Sequence, residues 1–288
     1  MIERFTAEGS SKSLHEIKAE LSAIHDVRER EIAETWFFMG QLVPHVQPKQ
    51  HIVAMIHGIN THAEWQQELT NQLDSECGIK AIPIGYRKFR VFKFIFPLYF
   101  RSVPVKLVSR KLRSLRHEYP DADISVIAHS FGTYILTKFL EEETDFKFYR
   151  IQLCGAVLDT DYRWDKIKTR IYGQIVNDAG ARDVFPILAS KASWGYGESG
   201  TFGFKHPSVT DRHFDYAHSD FMKAEHVSNY WKPLLAYGQI VPSTFKREPP
   251  KFAYRVLRII PFNYILWMVI PLVLLFFLMP FLSSFVKF

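Results

Sequence analysis

Cysteine is scarce in this 288-residue chain, and the two present, Cys77 and Cys154, stand far apart with no Cys-x-x-Cys or Cys/His ligand spacing. A disulfide framework and a structural zinc site are therefore excluded as organising principles, and both residues read as reduced thiols. Met1 to Ser10 carry charge and no apolar stretch, so export through a secretory signal is not expected. Internal repeats and low-complexity tracts are missing as well. Acids are absent from Tyr86–Arg101, and Asp, Glu, Lys, Arg and His are all absent from Ile259 to Val286.

What the chain does have is apolar bulk: 47% hydrophobic and 15% aromatic residues, enough for one large core or two modest ones and too much for a disordered tail. The net charge of +6 does not point to nucleic acid, because the bases interleave with large apolar side chains in two places that read as membrane contacts. The first is the tail. Its uncharged run exceeds the roughly 20 apolar residues that cross a hydrocarbon core. Lys246, Arg247, Lys251, Arg255 and Arg258 precede it against one acid, Glu248, which by the positive-inside tendency keeps the body cytoplasmic. A single-pass C-terminal transmembrane helix is expected. Pro271 should kink it, and a bent segment in one leaflet or a core helix are the alternatives. The second place is Tyr86–Arg101, where bases and aromatics suit anionic headgroups and the acyl boundary below them, or else a lid packed on the core.

Along the chain, Leu14, Ile17, Leu21, Ile24 and Val27 predict an amphipathic helix over 10–35. Strands are expected at His51–Ile56, Lys80–Ile84, Ile124–Ala128, Ile151–Leu158, Ile171–Val176 and His213–Ala217. Helices are expected at Glu64–Leu73, Arg110–Tyr119 and Tyr134–Leu140. This alternation implies an α/β fold with a mostly parallel sheet covered on both faces. The segments divide into a helical extension (1–48), an α/β domain (49–240), a basic linker (241–258) and a membrane segment (259–286).

Residues 124–132 read I-S-V-I-A-H-S-F-G: a buried strand, a sharp turn bearing Ser130, then a helix. That is the context in which a hydroxyl is lifted above a sheet edge with a helix amino terminus behind it. Ala128-His129-Ser130-Phe131-Gly132 resembles the G-x-S-x-G nucleophile elbow of the α/β-hydrolases, with alanine where the family has its first glycine. His57-Gly58-Ile59-Asn60, after another buried strand, is similar to the family's His-Gly oxyanion turn. The resemblance implies backbone donors at Ile59 and Phe131.

In this family the acid and then the histidine follow the serine. Asn177–Pro186 resembles the loop that carries the acid. Asp183 is chosen there because it falls beyond the loop glycine and before an apolar anchor, with Asp178 as fallback and Asp161 third. Asp211–Asp220 offers His213 and His218, and His218 is preferred because His213 would enter the strand. His226 is a distant third. No H-x-x-x-H or H-E-x-x-H spacing suggests a metal, and no cofactor is required.

Over roughly residues 50–235 the chain looks most similar to intracellular serine esterases and lipases related to GPI inositol-deacylases. What this implies is attack by Ser130 on an ester carbonyl, His218 as base, Asp183 orienting it, and a lipid or other acyl-ester substrate. A catalytically inactive membrane interaction module and a tail-dependent membrane-disrupting effector are the competing classes. The oligomeric state is left open.

Overall fold

Unbroken runs of branched apolar residues favour strands buried on both faces, and His51–Ile56, Asp123–His129 and Ile151–Cys154 form such strands. The structure is a computed structural model. It describes residues 14–42, 49–58, 64–86, 99–246, 252–260 and 262–285, apart from some side chains within those ranges. The chain divides into two units, Met1–Lys49 and Gln50–Phe288.

In the first unit, helices α1 (Leu14–Ser22) and α2 (Val27–Leu42) stand where one helix was expected. Asp26 breaks the run: its Oδ1 accepts the backbone N–H groups of Arg28 and Glu29 at 2.8 and 2.9 Å, capping α2.

The second unit runs β1 (His51–Ile56), α3 (Glu64–Cys77), β2 (Lys80–Pro83), α4 (Tyr99–Glu118), β3 (Asp123–His129), α5 (Phe131–Glu142), β4 (Ile151–Cys154), β5 (Ile175–Gly180), α6 (Phe185–Ala192), α7 (Ser199–Phe202) and β6 (Val209–Phe214). There follow α8 (Ala224–His226), a π-turn (Val227–Trp231), α9 (Lys232–Tyr237), α10 (Phe252–Ile259) and α11 (Phe262–Phe285). The six strands form one sheet in the order β2-β1-β3-β4-β5-β6, and every pair is parallel. Alternate side chains feed two cores. Ile52, Ala54 and Ile56 join Val126, Val108, Leu112, Ile135 and Phe139 on one face, while Val53 and Met55 join Leu69, Leu73, Phe221 and Trp231 on the other. The strand order reverses between β1 and β3, and at such a switch point the carboxyl ends of the strands leave a crevice. His57-Gly58 and Ser130 both stand there. Parallel sheet, flanking helices and a serine at this turn make the architecture that of an α/β-hydrolase.

Helix α4 begins well before the expected Arg110, because Arg101, Val105, Val108, Leu112 and Leu115 form one continuous buried face. Ile171 pairs only at an isolated bridge with Phe148, and β5 starts at Ile175, later than the expected strand. β5 then continues to Gly180 because Ala179 and Gly180 pair with His213 and Phe214, which also moves β6 upstream of the expected His213–Ala217. In the basic aromatic segment, residues 87–98 lie outside the described residues. Tyr86 and Arg101 at its two ends are buried, so neither belongs to a surface patch.

Among the described residues no helix is long and apolar enough to cross a membrane, so the expected transmembrane helix is not found. The uncharged run is divided, α10 ending at Ile259 and α11 starting at Phe262, and α11 carries Pro271 and Pro280 within it. In α11 the side chains at 263, 266, 270, 274 and 278–285 lie outside the described ones.

Candidate active site

The turn between β3 and α5 holds Ser130 at φ +54° and ψ −125°, and Ser130 is the one non-glycine residue with positive φ among the described residues. An L-residue adopts such a backbone only where its surroundings impose it, and strain of this kind clusters at functional sites. Three contacts impose it here. Ser130 N–H donates to the Cys154 carbonyl at 3.1 Å. The Ser130 carbonyl accepts from Thr133 N at 2.9 Å and from Thr133 Oγ1 at 2.6 Å. Phe131 is the first residue of α5, so its N–H lies at the positive end of the helix dipole.

The upstream turn meets the serine directly. A Cβ built on Gly58 would lie 2.7 Å from Ser130 Cβ and 3.1 Å from Oγ, so only a glycine fits there. His57 bonds through Nδ1 to the Gly58 carbonyl at 2.6 Å and stacks on Tyr86 at 4.4 Å, and Tyr86 Oη donates to the His57 carbonyl at 2.9 Å. Burial lowers the His57 pKa below the usual imidazole range. Ile59, the expected second oxyanion donor, lies outside the described residues.

Asp183 and His218 are brought together. Asp183 is fully buried, its Oδ1 accepts from Phe185 N at 3.0 Å, and its Oδ2 accepts from His218 Nδ1 at 2.9 Å. Thr201 Oγ1 donates to the Asp183 carbonyl at 2.6 Å. The His218 ring stacks on Phe185 at 4.4 Å and keeps 22% of its side chain exposed. Gly155, at the end of β4 with φ +52°, makes room for it: a Cβ there would lie 2.9 Å from His218 Cε1. Ser130 Oγ makes no hydrogen bond to the ring among the described residues. Ser130 is tied to His218 through its neighbour, because His129 Nε2 donates to the His218 carbonyl at 3.0 Å.

The remaining candidates are committed elsewhere. Asp178 lies inside β5, not in the loop, and is fully buried. It accepts from Arg212 Nε at 2.7 Å, Arg212 Nη2 at 3.1 Å, His226 Nε2 at 2.9 Å and Trp231 Nε1 at 2.7 Å. Burial alone would raise its pKa, but the Arg212 charge and the His226 bond outweigh that and hold the carboxyl below its usual range. The same bonds remove His226 from the site. His213 sits in β6, and Asp161 is exposed beside Lys205 at 3.4 Å. A cavity of about 900 Å³ lies between Asp161, Lys166, Lys191, Glu198 and Arg258, and Ser130, Asp183 and His218 do not line it. No group of three His, Cys, Asp or Glu among the described residues is placed to hold a metal ion.

Sequence reasoning missed His129, Gly155 and Thr201. The one available signal was that His129 is the variable residue of the elbow itself, adjacent to the serine.

No family model matches the chain, and no curated protein matches it. Solved structures do. A thermostable carboxyl esterase from Bacillus coagulans is 15% identical over 40% of this chain with a TM-score of 0.31, and the chain spans only 38% of that protein. An alpha-beta serine hydrolase homologue from Coxiella burnetii is 16% identical over 66% of this chain and 86% of its own, with a TM-score of 0.41. The poly(3-hydroxybutyrate) depolymerase LpqC from Bordetella parapertussis is 13% identical over 73% and 84%, with a TM-score of 0.43.

Proposed function

We propose that this chain is a membrane-anchored serine hydrolase that cleaves ester bonds, of lipids in the first place, through Ser130, His218 and Asp183. The observation that carries the reading is the strained Ser130 at the strand-to-helix turn, with a His218–Asp183 pair joined at 2.9 Å beside it. His218 Nε2 takes the Ser130 proton, the oxygen attacks the acyl carbonyl, and the oxyanion is received by the Phe131 N–H, with Ile59 as the second donor. The alcohol leaves with the proton from His218, and water, activated by the same ring, releases the acyl group. Asp183 fixes the tautomer that leaves Nε2 free to act and stabilises the imidazolium.

The anchor is the tail. In α11, Met268, Leu272, Phe276 and Phe277 are each more than 60% exposed, an apolar surface that water does not favour and a bilayer does. Arg255 in α10 would supply positive charge to anionic headgroups on the cytoplasmic side. A subgroup kinship with GPI inositol-deacylase relatives belongs to the same proposal, on the elbow and the His218-Ser219-Asp220 stretch.

A fluorophosphonate probe tests the chemistry. The full chain in detergent should be labelled and should hydrolyse a short p-nitrophenyl ester. Ser130→Ala should do neither while keeping its melting temperature. Retained hydrolysis in the purified variant would remove the proposal.

A further inference from the structure

His129 is 1% exposed and has no place in the proposed chemistry, yet it touches His218 directly. Its ring lies 4.7 Å from the His218 ring and its Nε2 donates to the His218 carbonyl at 3.0 Å, across 89 positions of sequence. Burial, reinforced by the neighbouring His218, lowers its pKa to about 3, so the ring is neutral and Nε2 carries its proton. Its other nitrogen, Nδ1, is buried with no hydrogen-bond partner among the described residues. A position of this kind chosen for packing alone would take an apolar ring, since a buried acceptor without a partner is a net cost.

We infer that His129 is a positioning residue that holds the base loop in register with the nucleophile. The inference rests on the serine-hydrolase reading above. Asp183 and Phe185 fix the His218 ring by its Nδ1 and by one face, but neither fixes its distance from Ser130. Ala217 N–H is held by Asp220 Oδ2 at 2.8 Å, which shapes the loop internally and does not join it to the elbow. The His129 bond makes that junction: it refers the main chain of His218 to the residue peptide-linked to Ser130. Loss of the donor leaves the acid–base pair intact and lets the pair drift as a unit from the serine oxygen. Such a change acts on the chemical step and not on substrate binding.

The test compares three substitutions in the full chain, with a short p-nitrophenyl ester and Ser130→Ala as the blank. Glutamine places an amide N–H where Nε2 stands. Asparagine carries the same amide but falls short, and phenylalanine keeps the ring without the donor. His129→Phe and His129→Asn should lower kcat by about 10- to 100-fold with KM within about two-fold, whereas His129→Gln should stay within about three-fold of the parent, since small misplacements of reacting groups cost rate steeply. The rate of fluorophosphonate labelling should follow kcat. His129→Phe should melt no lower than the parent, because it removes an unpaired acceptor. Should His129→Phe not fold, the glutamine and asparagine pair decides. Equal activity of those two variants, or phenylalanine at parental kcat, overturns the positioning role while Ser130→Ala remains dead. Activity in Ser130→Ala instead overturns the hydrolase reading itself.

Discussion

Gly155→Ala separates the geometry of the site from the stability of the fold. Gly155 has φ +52°, and an added Cβ would lie 2.9 Å from both Cε1 and Nδ1 of His218. Carbon atoms rest comfortably at about 3.5 Å or more, so the ring must retreat by roughly 0.5 Å. Phe185 stacks on the ring at 4.4 Å and the Asp183 bond holds Nδ1, so the retreat displaces the proposed acid–base pair together. If about 1 Å costs on the order of 100-fold in rate, kcat should fall roughly 10-fold. The left-handed backbone adds about 1–2 kcal/mol of destabilisation for any L-side chain. Gly78 supplies the control, with φ +61° and no atom within 4 Å of a built Cβ. Gly78→Ala should show the backbone cost alone, a drop of a few degrees in Tm with kcat unchanged. Steady-state hydrolysis of a p-nitrophenyl ester and thermal melting read the two effects. Parental kcat in Gly155→Ala, or an equal loss in Gly78→Ala, would refute the placement of His218 against β4.

Asp183→Asn should cut kcat by about 10⁴-fold with little change in melting, as loss of the orienting carboxylate does in a triad. Asp178→Asn should instead destabilise the fold by about 3–5 kcal/mol, because Arg212 loses its buried partner; urea denaturation beside turnover distinguishes the two. Stability should fall as pH drops from about 6.5 towards 4, because burial and the nearby Arg150 lower His51 to about 4 while the unfolded chain takes up its proton near the ordinary value. For His51 the loss is about 3 kcal/mol at pH 4, and a His51→Gln variant should show a shallower pH dependence in urea titrations between pH 7 and 4.5. A chain cut after Lys251 should keep small-ester hydrolysis and lose activity on lipid vesicles, since tethering supplies local substrate concentration; loss of both would make the tail part of the fold.

The legible parts of the fold were those with local causes. Four strands were placed by runs of branched apolar residues, and the elbow was found because a strand, a turn and a helix follow one another within one short segment. Separating the two candidate acids needs knowledge that no local pattern holds. With β5 expected to end near Val176, Asp178 and Asp183 both read as loop residues, and the choice between them rested on the loop glycine. The difference is made by a neighbour: pairing with β6 extends β5 to Gly180, and that buries Asp178 against Arg212, His226 and Trp231 while Asp183 emerges beyond the strand end.

The tail shows the same limit from the other side. A run without charge records what a segment avoids and says nothing of what it touches. In the structure, Arg258 Nε donates to Glu198 Oε2 at 2.8 Å, Lys191 Nζ donates to the Arg258 carbonyl at 2.6 Å, and Trp267 lies 5.6 Å from Trp194. Glu198 immediately precedes α7, whose Thr201 holds the Asp183 carbonyl. One of the basic residues before the apolar run, Arg258, thus seats the tail on the element that supports the proposed catalytic acid. A charge-counting rule assigns Arg258 to headgroups, whereas the ion pair with Glu198 assigns it to the body.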